Sequence, residues 1–255
     1  MIVSKNESVG ILGFGEIGQA MAEFYDSADA PRIKIKDLNR DDDLRDVKIL
    51  HVCIPWSEKF VQIVKNEIKK AKPALTIIHS TVAPGTTLRL AQGKQKTMVV
   101  HSPVRGVHPH LFEGIKTFVK YIGTDNKEAG KLAQKHLENL GIKTKVFMPA
   151  ATTEIGKLLD TAYYGLCIAW HGEMKKICDK LGINFEEAAS DFNQTYNEGY
   201  KKLRKTNVLR PVLYPPENGI GGHCVISNAG ILKKYFKSEA LNLILKYKPK
   251  NKSRR

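Results

Sequence analysis

The sequence predicts an α/β fold: a doubly wound parallel sheet, followed by a smaller all-helical domain built around one long central helix. Three observations predict it. From residue 9 to about residue 149, short apolar runs alternate with amphipathic stretches, as in βαβ units. A glycine-rich turn follows the first apolar run. After Pro149, apolar residues recur at helical spacing over a stretch too long for the crossover of a small sheet.

The predicted strands are the apolar runs between turn residues. They cover residues 8–12, 32–35, 47–54, 75–79, 98–101, 119–122 and 145–147. The amphipathic stretches between them predict helices over residues 18–25, 56–71, 88–92 and 127–140. Gly141 follows the last of these helices, where a left-handed cap is expected. We therefore expect residues 1–150 to form one domain in which helices cover a parallel sheet.

The central helix is predicted over residues 152–181, which makes it about 45 Å long at the usual rise per residue. Its first turn carries Glu154, and Lys180 and Gly182 close it, as helix-dipole and capping rules prefer. Helices over residues 185–204 and 225–247 follow, separated by a loop that contains proline and glycine. We expect a helical domain of residues 151–247 that supplies a dimer surface, and then a basic tail of residues 248–255.

Positive charge is the unusual feature of the composition. The chain has 255 residues, a formal net charge of +15 and a sequence pI near 9.6. Such an excess attracts anionic partners. No recognisable nucleic-acid-binding motif accompanies the charge, so a phosphorylated small molecule is the expected partner and nucleic acid is not.

The cysteines and the apolar runs indicate the compartment. Cys53, Cys167, Cys178 and Cys224 are far apart and match no metal or redox spacing, which favours a reducing interior. No apolar run approaches the roughly 18 residues needed to span a bilayer, and the N-terminus lacks a secretory signal pattern. We expect a cytoplasmic protein without a membrane segment.

The glycine-rich turn is the most informative local motif. It reads Gly13-Phe14-Gly15-Glu16-Ile17-Gly18, directly after an apolar strand and at the start of a helix. A turn of this kind binds the pyrophosphate of a dinucleotide at the helix N-terminus. Asp37 ends the second predicted strand, where an acidic side chain holds a ribose 2′-hydroxyl and repels a 2′-phosphate. The pattern predicts NAD rather than NADP, although Lys36 and Arg40 are close enough to soften the preference. The alternative is a glycine-rich turn that binds another ligand.

Three further segments occur in order after this turn. They read His51-Val52-Cys53-Ile54-Pro55, Ser80-Thr81-Val82-Ala83-Pro84-Gly85-Thr86-Thr87 and Gly219-Ile220-Gly221-Gly222-His223-Cys224. Together with the glycine turn they resemble the motifs of the UDP-glucose/GDP-mannose dehydrogenases. The last segment is most similar to the branch that oxidises UDP-N-acetylhexosamines.

The resemblance implies a fold, a reaction and an assembly. It implies a Rossmann domain, a long central helix that mediates dimerisation, and NAD-linked oxidation of the primary alcohol of a nucleotide sugar to a carboxylate. Members of this family normally continue into a third domain that holds much of the nucleotide sugar. We therefore expect the present chain to lack that third domain.

The same resemblance assigns roles to individual residues. Cys224 matches the nucleophile that captures the aldehyde intermediate, and Lys157 matches the lysine that polarises or orients the reacting oxygen. Thr81 matches the threonine that positions the catalytic water near the nicotinamide. Cys53, Pro55 and Thr81 are expected beside the cofactor. Independently, Cys224 precedes a predicted helix, and a thiol at a helix N-terminus has its pKa lowered towards the reactive thiolate.

Three positions depart from the family pattern. Val104 stands where the family has a carboxylate that serves thioester hydrolysis, Thr161 replaces an asparagine, and Asn228 replaces an aspartate. The segment around Val104 also resembles the P-V-x-G element of the β-hydroxyacid dehydrogenases, which transfer a single hydride with one helix lysine that Lys157 would match. A two-electron dehydrogenase of that type is therefore one alternative, and a non-catalytic protein that binds NAD or a nucleotide is another.

Histidines offer a substitute for the missing carboxylate. His101, His108 and His110 cluster around the loop after the fifth predicted strand, and His223 adjoins Cys224. His108 or His110 could serve as a general base. An H-x-H pair could also bind a metal ion, but in a surface loop it more often does neither. No metal site is predicted.

Overall fold

The first part of the chain forms a sheet covered by helices on both faces. The computed structural model describes residues 7–26, 30–92, 97–106, 109–222 and 224–249. Within these ranges eight strands form one sheet in the order β3-β2-β1-β4-β5-β6-β7-β8. They are β1 Ser8–Leu12, β2 Arg32–Asp37, β3 Arg40–Asp41, β4 Ile49–Val52, β5 Leu75–Ile78, β6 Val99–His101, β7 Lys120–Gly123 and β8 Thr144–Phe147. The predicted α/β class is confirmed.

The sheet is mostly parallel, as predicted, and it includes two antiparallel pairs. Its pairs are parallel except that β3 runs antiparallel to β2 and β7 runs antiparallel to β6. The missed β3 has two residues, too few for an apolar pattern, and a tight turn returns it beside β2. All seven predicted strands exist, with ends that shift by a few residues. The sequence pattern does not reveal the direction of β7.

Five helices lie between the strands. They are α1 Glu16–Glu23, α2 Phe60–Ala71, α3 Thr86–Ala91, α4 Leu111–Thr117 and α5 Lys127–Asn139. The prediction missed α4, a short helix whose buried face consists of Leu111, Gly114 and Ile115. One apolar core packs α1, α4 and α5 against one face of the sheet, and a second core packs α2 and α3 against the other. The arrangement is doubly wound, as predicted.

The remaining elements are helical. They are α6 Ala151–Leu181, a π-helical turn Glu186–Asp191 that leads into α7 Phe192–Lys202, a 3-10 turn Thr206–Val208, α8 Cys224–Lys233 and α9 Glu239–Lys246. The single helix predicted over residues 225–247 is wrong, because Ser238 adopts extended backbone angles and starts α9 anew. The helix predicted over residues 185–204 is present, with π-helical bonding from Glu186 to Asp191 before α7.

The chain divides into two compact units, with the first ending at Lys157 and the second beginning at Leu158. In the second unit, glycines let helices approach α6 closely. A Cβ on Gly165 would lie 2.3 Å from Cγ1 of Val225, and one on Gly172 would lie 2.5 Å from the ring of Tyr247. The hydroxyl of Tyr247 donates to Oε1 of Glu173 over 2.7 Å. α8 and the end of α9 therefore pack directly on the backbone of α6.

Two further properties bear on the choice of function. None of the helices in the described part of the chain is long and apolar enough to span a bilayer. The described residues also contain no group of three histidine, cysteine or acidic side chains arranged to hold a metal ion.

Candidate functional site

The glycine turn joins β1 to α1, and the fold itself demands two of its three glycines. Gly13 has a φ of +94°, and a Cβ there would lie 2.8 Å from the carbonyl carbon of Cys53 and from the nitrogen of Ile54. A Cβ on Gly18 would lie 2.1 Å from the carbonyl oxygen of Gly13. These two glycines let the turn close against the segment after β4 and against its own helix.

Gly15 is different, because nothing in the described protein requires it. Its φ is −70°, which any residue adopts, and a Cβ built on it would have no atom within 4 Å. It is the N-cap residue of α1, and it has no side chain of its own with which to cap this helix. Glu16 is exposed, whereas Phe14 and Ile17 pack against the core. The helix N-terminus is thus open to an anion from outside.

Asp37 lies at the end of β2 beside this turn. Its carboxylate accepts hydrogen bonds from the amides of Phe14 and Leu38, which lower the pKa of Asp37 below its usual value. The neighbouring cations are already paired. Lys36 lies 3.1 Å from Asp41, and Arg40 lies 3.1 Å from Asp42. The end of β2 therefore presents an ionised carboxylate, and the positive charges around it are offset.

The segments after β4 and β5 meet the glycine turn at the carboxyl edge of the sheet. The amide of Cys53 donates to the carbonyl of Leu12 over 2.7 Å, and the hydroxyl of Ser80 donates to the carbonyl of Ile54 over 2.6 Å. Burial raises the pKa of the Cys53 thiol to about 12, so it stays neutral. Pro55 is exposed and Thr81 is half-buried. The structure thus brings together three of the four predicted motifs.

Glu154 ties the loop after β5 to the start of α6, a function that the sequence interpretation missed. Its fully buried carboxylate accepts from the amide of Gly85 (2.6 Å), the amide of Thr87 (2.8 Å) and the hydroxyl of Thr87 (2.7 Å). Glu154 lies in the first turn of α6, as predicted, and its carboxylate also caps α3, one turn before Lys157.

His101 is the last residue of β6, next to the loop in which a histidine cluster is predicted, and its side chain is buried. Its Nδ1 lies 2.8 Å from Oγ1 of Thr153, and its Nε2 lies 3.1 Å from the carbonyl oxygen of Ser80. Burial lowers the pKa of His101 to about 3. His110 is exposed, and His108 and His223 lie outside the described residues. His101 is therefore a neutral structural group and not a general base.

A chain of buried polar groups crosses the first unit, and sequence reasoning missed it entirely. Oη of Tyr25 lies 2.8 Å from Nε2 of His136 and 2.7 Å from Nε2 of His51. Nδ1 of His51 lies 2.8 Å from Nε2 of His79, whose Nδ1 lies 3.2 Å from the carbonyl oxygen of Ser102. We call these five groups the histidine chain. The signal in the sequence that could have predicted the histidine chain is the presence of histidines inside apolar strands.

Lys120 approaches the same carbonyl from β7. Its side chain is buried, and Nζ lies 2.8 Å from the carbonyl oxygen of Ser102 and 3.3 Å from that of Pro103. Burial, opposed by Cys53 and helped by the positive charge of Lys157, lowers the pKa of Lys120 to about 7. A buried lysine therefore holds the backbone just before Val104, the position at which the family pattern has a carboxylate.

The predicted catalytic residues fall on both sides of the unit boundary. Lys157 is half-buried and is the last residue of the first unit. Cys224 is exposed and is the first residue of α8 in the second unit, as the helix-terminus argument requires. Val104 and Asn228 are both buried. Within the described residues, Nδ2 of Asn228 has no hydrogen-bond partner.

Comparisons with known proteins identify relatives by sequence. No protein-family model matches the chain. The UDP-N-acetyl-D-mannosamine dehydrogenase of Methanococcus maripaludis is 28% identical over 153 residues, which are 59% of this chain and 33% of that protein. The enzyme of the same name from Pyrococcus horikoshii is 26% identical over 213 residues, 75% of this chain and 47% of that protein. The chain therefore spans between a third and a half of the length of these relatives.

Solved structures show the same fold. The UDP-D-ManNAc dehydrogenase of Pyrococcus horikoshii superposes with a TM-score of 0.74 at 20% identity, covering 94% of this chain and 68% of that one. A 3-hydroxyisobutyrate dehydrogenase from Mycobacterium tuberculosis gives a TM-score of 0.70 at 14% identity, covering 94% of this chain and 92% of that one. The neighbours are Rossmann-type dehydrogenases.

Proposed function

We propose that this chain, which is related to the UDP-glucose/GDP-mannose dehydrogenases as its motifs predicted, is an NAD-dependent dehydrogenase that oxidises an alcohol of a nucleotide sugar. The observation that carries the proposal is the open N-terminus of α1 beside the ionised Asp37. We also propose the predicted division into an NAD-binding domain of residues 1–150, a helical domain of residues 151–247 and a basic tail of residues 248–255.

The residues of the glycine turn fit a dinucleotide. The empty space at Gly15 admits a pyrophosphate to the N-terminal amides of α1, whose helix dipole favours negative charge. Asp37 accepts hydrogen bonds and is negative, so it suits ribose hydroxyls and repels a 2′-phosphate. Because Lys36 and Arg40 already pair with carboxylates, neither is free to offset that repulsion. This arrangement supports NAD over NADP.

A matched pair of glycine substitutions tests the cofactor. Gly15→Ala is expected to leave the free energy of unfolding within about 0.5 kcal/mol of the native value, because the new methyl group meets no atom. It is expected to weaken NAD⁺ binding at least tenfold, since the methyl group stands where a pyrophosphate must approach. Gly18→Ala places its Cβ against the carbonyl of Gly13 and is expected to cost about 2 kcal/mol or more of stability.

Titration calorimetry with NAD⁺ and NADP⁺, together with urea unfolding, measures both effects. NAD⁺ is expected to bind more tightly than NADP⁺. A Gly15→Ala variant that binds NAD⁺ as tightly as the native protein would contradict the proposed site.

The chemistry combines a hydride acceptor with side chains of this chain. Bound NAD⁺ would supply the hydride acceptor for the alcohol carbon. Thr81 positions the water that takes the hydroxyl proton of the alcohol, while Lys157 orients the reacting oxygen and stabilises the negative charge that develops on it. The sulfur of Cys224 then attacks the aldehyde carbon, forming a carbon–sulfur bond as the thiol proton passes to the former carbonyl oxygen. Val104 supplies no base for a later hydrolysis, so this chain is proposed to stop after two electrons.

Turnover across a substrate panel tests the catalytic roles. NADH formation is measured at 340 nm with UDP-, GDP- and dTDP-sugars. Lys157→Ala is expected to lower kcat by about a hundredfold or more, because it removes the charge that stabilises the developing oxyanion. Cys224→Ala is expected to release free aldehyde in place of the trapped product. Cys167→Ser, a half-buried cysteine of α6, is the matched control and is expected to leave turnover unchanged.

A small hydroxy acid is the second candidate substrate, which the buried Val104 favours because a single hydride transfer needs no carboxylate there. In that case turnover depends on Lys157 and not on Cys224. NAD⁺ binding without turnover of any alcohol would contradict both candidates and favour the non-catalytic alternative.

We also propose that the chain forms a homodimer through α6. An apolar stripe follows one face of this helix in the second unit and is more than half exposed. It consists of Leu159 (55%), Tyr163 (65%), Trp170 (52%), Ile177 (52%) and Leu181 (64%). Apolar side chains repeated at this spacing typically pack against another helix. Sedimentation as a monomer at tens of micromolar would refute the dimer.

A further inference from the structure

Lys120 lies at the carboxyl edge of the central parallel strands, the edge where ligands of such sheets bind. β7 runs antiparallel to β6 with Gly123 opposite His101, so the start of β7 lies alongside the segment that follows β6. From there Nζ of Lys120 donates to the carbonyls of Ser102 and Pro103. The carbonyl of Ser102 thus accepts from Lys120 on one side and from the histidine chain on the other.

We propose that Lys120 is a positioning residue that fixes the Ser102–Pro103 backbone at the ligand edge, and that its charge makes the site discriminate between oxidised and reduced nicotinamide. The inference rests on the proposed function only in taking NAD as the ligand. It concerns a residue that none of the sequence motifs includes.

The carbonyl of Ser102 determines which nitrogen of each imidazole in the histidine chain carries a hydrogen. The carbonyl of Ser102 can only accept, so Nδ1 of His79 carries the hydrogen and its Nε2 must accept from Nδ1–H of His51. Nε2 of His51 then accepts from the Tyr25 hydroxyl, which in turn accepts from Nε2–H of His136. Every imidazole in this arrangement is neutral.

Lys120 is therefore the group of this cluster whose charge changes near neutral pH. Burial lowers the pKa of the three histidines that interact with Lys120 and raises the pKa of Cys53, so these four groups stay uncharged. Lys157 on α6 is the cation that faces Lys120. The facing groups are His51, Cys53, His79, His101 and Lys157. With its pKa of about 7, Lys120 is an ammonium at pH 6 and largely a neutral amine at pH 8.5.

That change acts on the two forms of the nicotinamide differently. The oxidised ring carries a positive charge and the reduced ring is neutral, so an ammonium at this edge disfavours only the oxidised form. At an effective dielectric constant of about 20, two unit charges about 10–20 Å apart interact strongly enough to change an affinity by roughly 4- to 20-fold. A neutral amine keeps two N–H groups, enough to hold both carbonyls, so deprotonation changes the charge and leaves the backbone in place.

Dissociation constants for NAD⁺ and NADH between pH 6 and pH 8.5 test the proposal. In the native protein the ratio of the NAD⁺ to the NADH dissociation constant is expected to fall about tenfold over this range. Lys120→Met is expected to give a low ratio that does not change with pH. Lys120→Arg stays charged and is expected to give a high ratio that does not change with pH. Lys131→Met removes an exposed lysine of α5 and is expected to reproduce the native curve.

The outcomes separate this inference from the proposed cofactor. Thermal melting identifies a Lys120→Met chain that fails to fold, in which case Lys120→Arg decides. Native pH dependence retained in a folded Lys120 variant would overturn the inference while leaving NAD as the cofactor. If the native chain binds neither nucleotide at any pH, the cofactor and this inference are both overturned.

Discussion

The free energy of unfolding is expected to fall steeply as the pH drops from 6.5 to 4.5. Four buried histidines of the first unit cause this, namely His51, His79, His101 and His136. Burial lowers the pKa of His101 to about 3 and that of His136 to about 4, and it holds the pKa of His51 and His79 well below the usual value. The native protein thus keeps these rings neutral at pH values where the unfolded chain protonates them.

The direction follows from proton linkage. The native pKa values are depressed, so the stabilisation is complete above the ordinary histidine pKa of about 6.5 and is lost as the pH falls towards the native values. Each histidine contributes about 1.4 kcal/mol per pH unit once the unfolded form is protonated, so four together contribute about 5 kcal/mol per unit. Because whole domains are stable by only about 5–15 kcal/mol, unfolding is expected near pH 5.

Urea unfolding at a series of pH values measures the slope, which counts the protons taken up. His136→Gln is expected to reduce the uptake by about one proton. His110→Gln replaces an exposed histidine and is expected to leave the uptake unchanged. An uptake of one proton or fewer in the native protein would show that the histidine chain does not control acid unfolding.

Glu154→Ala is expected to lower the free energy of unfolding by about 3–5 kcal/mol, because it leaves the amides of Gly85 and Thr87 and the hydroxyl of Thr87 without their acceptor. Glu154→Gln keeps one acceptor oxygen but turns an amide NH₂ towards a donor, so a smaller loss of about 1–3 kcal/mol is expected. Chemical denaturation of both variants gives these values.

Glu128→Gln provides the control, since Glu128 is exposed in the first turn of α5 and its loss is expected to change stability by less than about 0.5 kcal/mol. Turnover adds a second measurement. The Glu154 variants are expected to lose turnover even under conditions in which they remain folded, because Glu154 holds the loop after β5 against the helix that presents Lys157. Equal stability of Glu154→Ala and the native chain would refute the capping function.

The glycine turn and the strand pattern were predictable because both depend on local sequence. The three glycines form a recognisable spacing between an apolar run and a helix, and Gly18 meets the carbonyl of Gly13 within the turn itself. Apolar runs mark buried strands wherever they pair. β3 and α4 were missed because elements this short carry too few residues for a periodic pattern. The break between α8 and α9 depends on the backbone angles of Ser238, which residue spacing does not encode.

The polar interior of the site was not predictable, because it depends on which strands become neighbours. Glu154 lies in the first turn of α6, as helix-dipole rules prefer, and only the fold reveals that it also caps α3. Lys120 sits in a strand that the pattern found, but its burial follows from the antiparallel pairing of β7 with β6. The motifs identified the backbone that surrounds a ligand, and the fold identified the groups that hold this backbone.

The histidine chain also bears on how sequences of this kind can change. Since one carbonyl dictates the proton position of every ring, replacing a single member leaves its neighbour with a donor or acceptor facing the wrong partner. Substitutions of His51, His79 and His136 are therefore strongly coupled, and the cost of two is less than the sum of each alone. In related sequences, these three histidines are expected to be retained together or replaced together by apolar side chains.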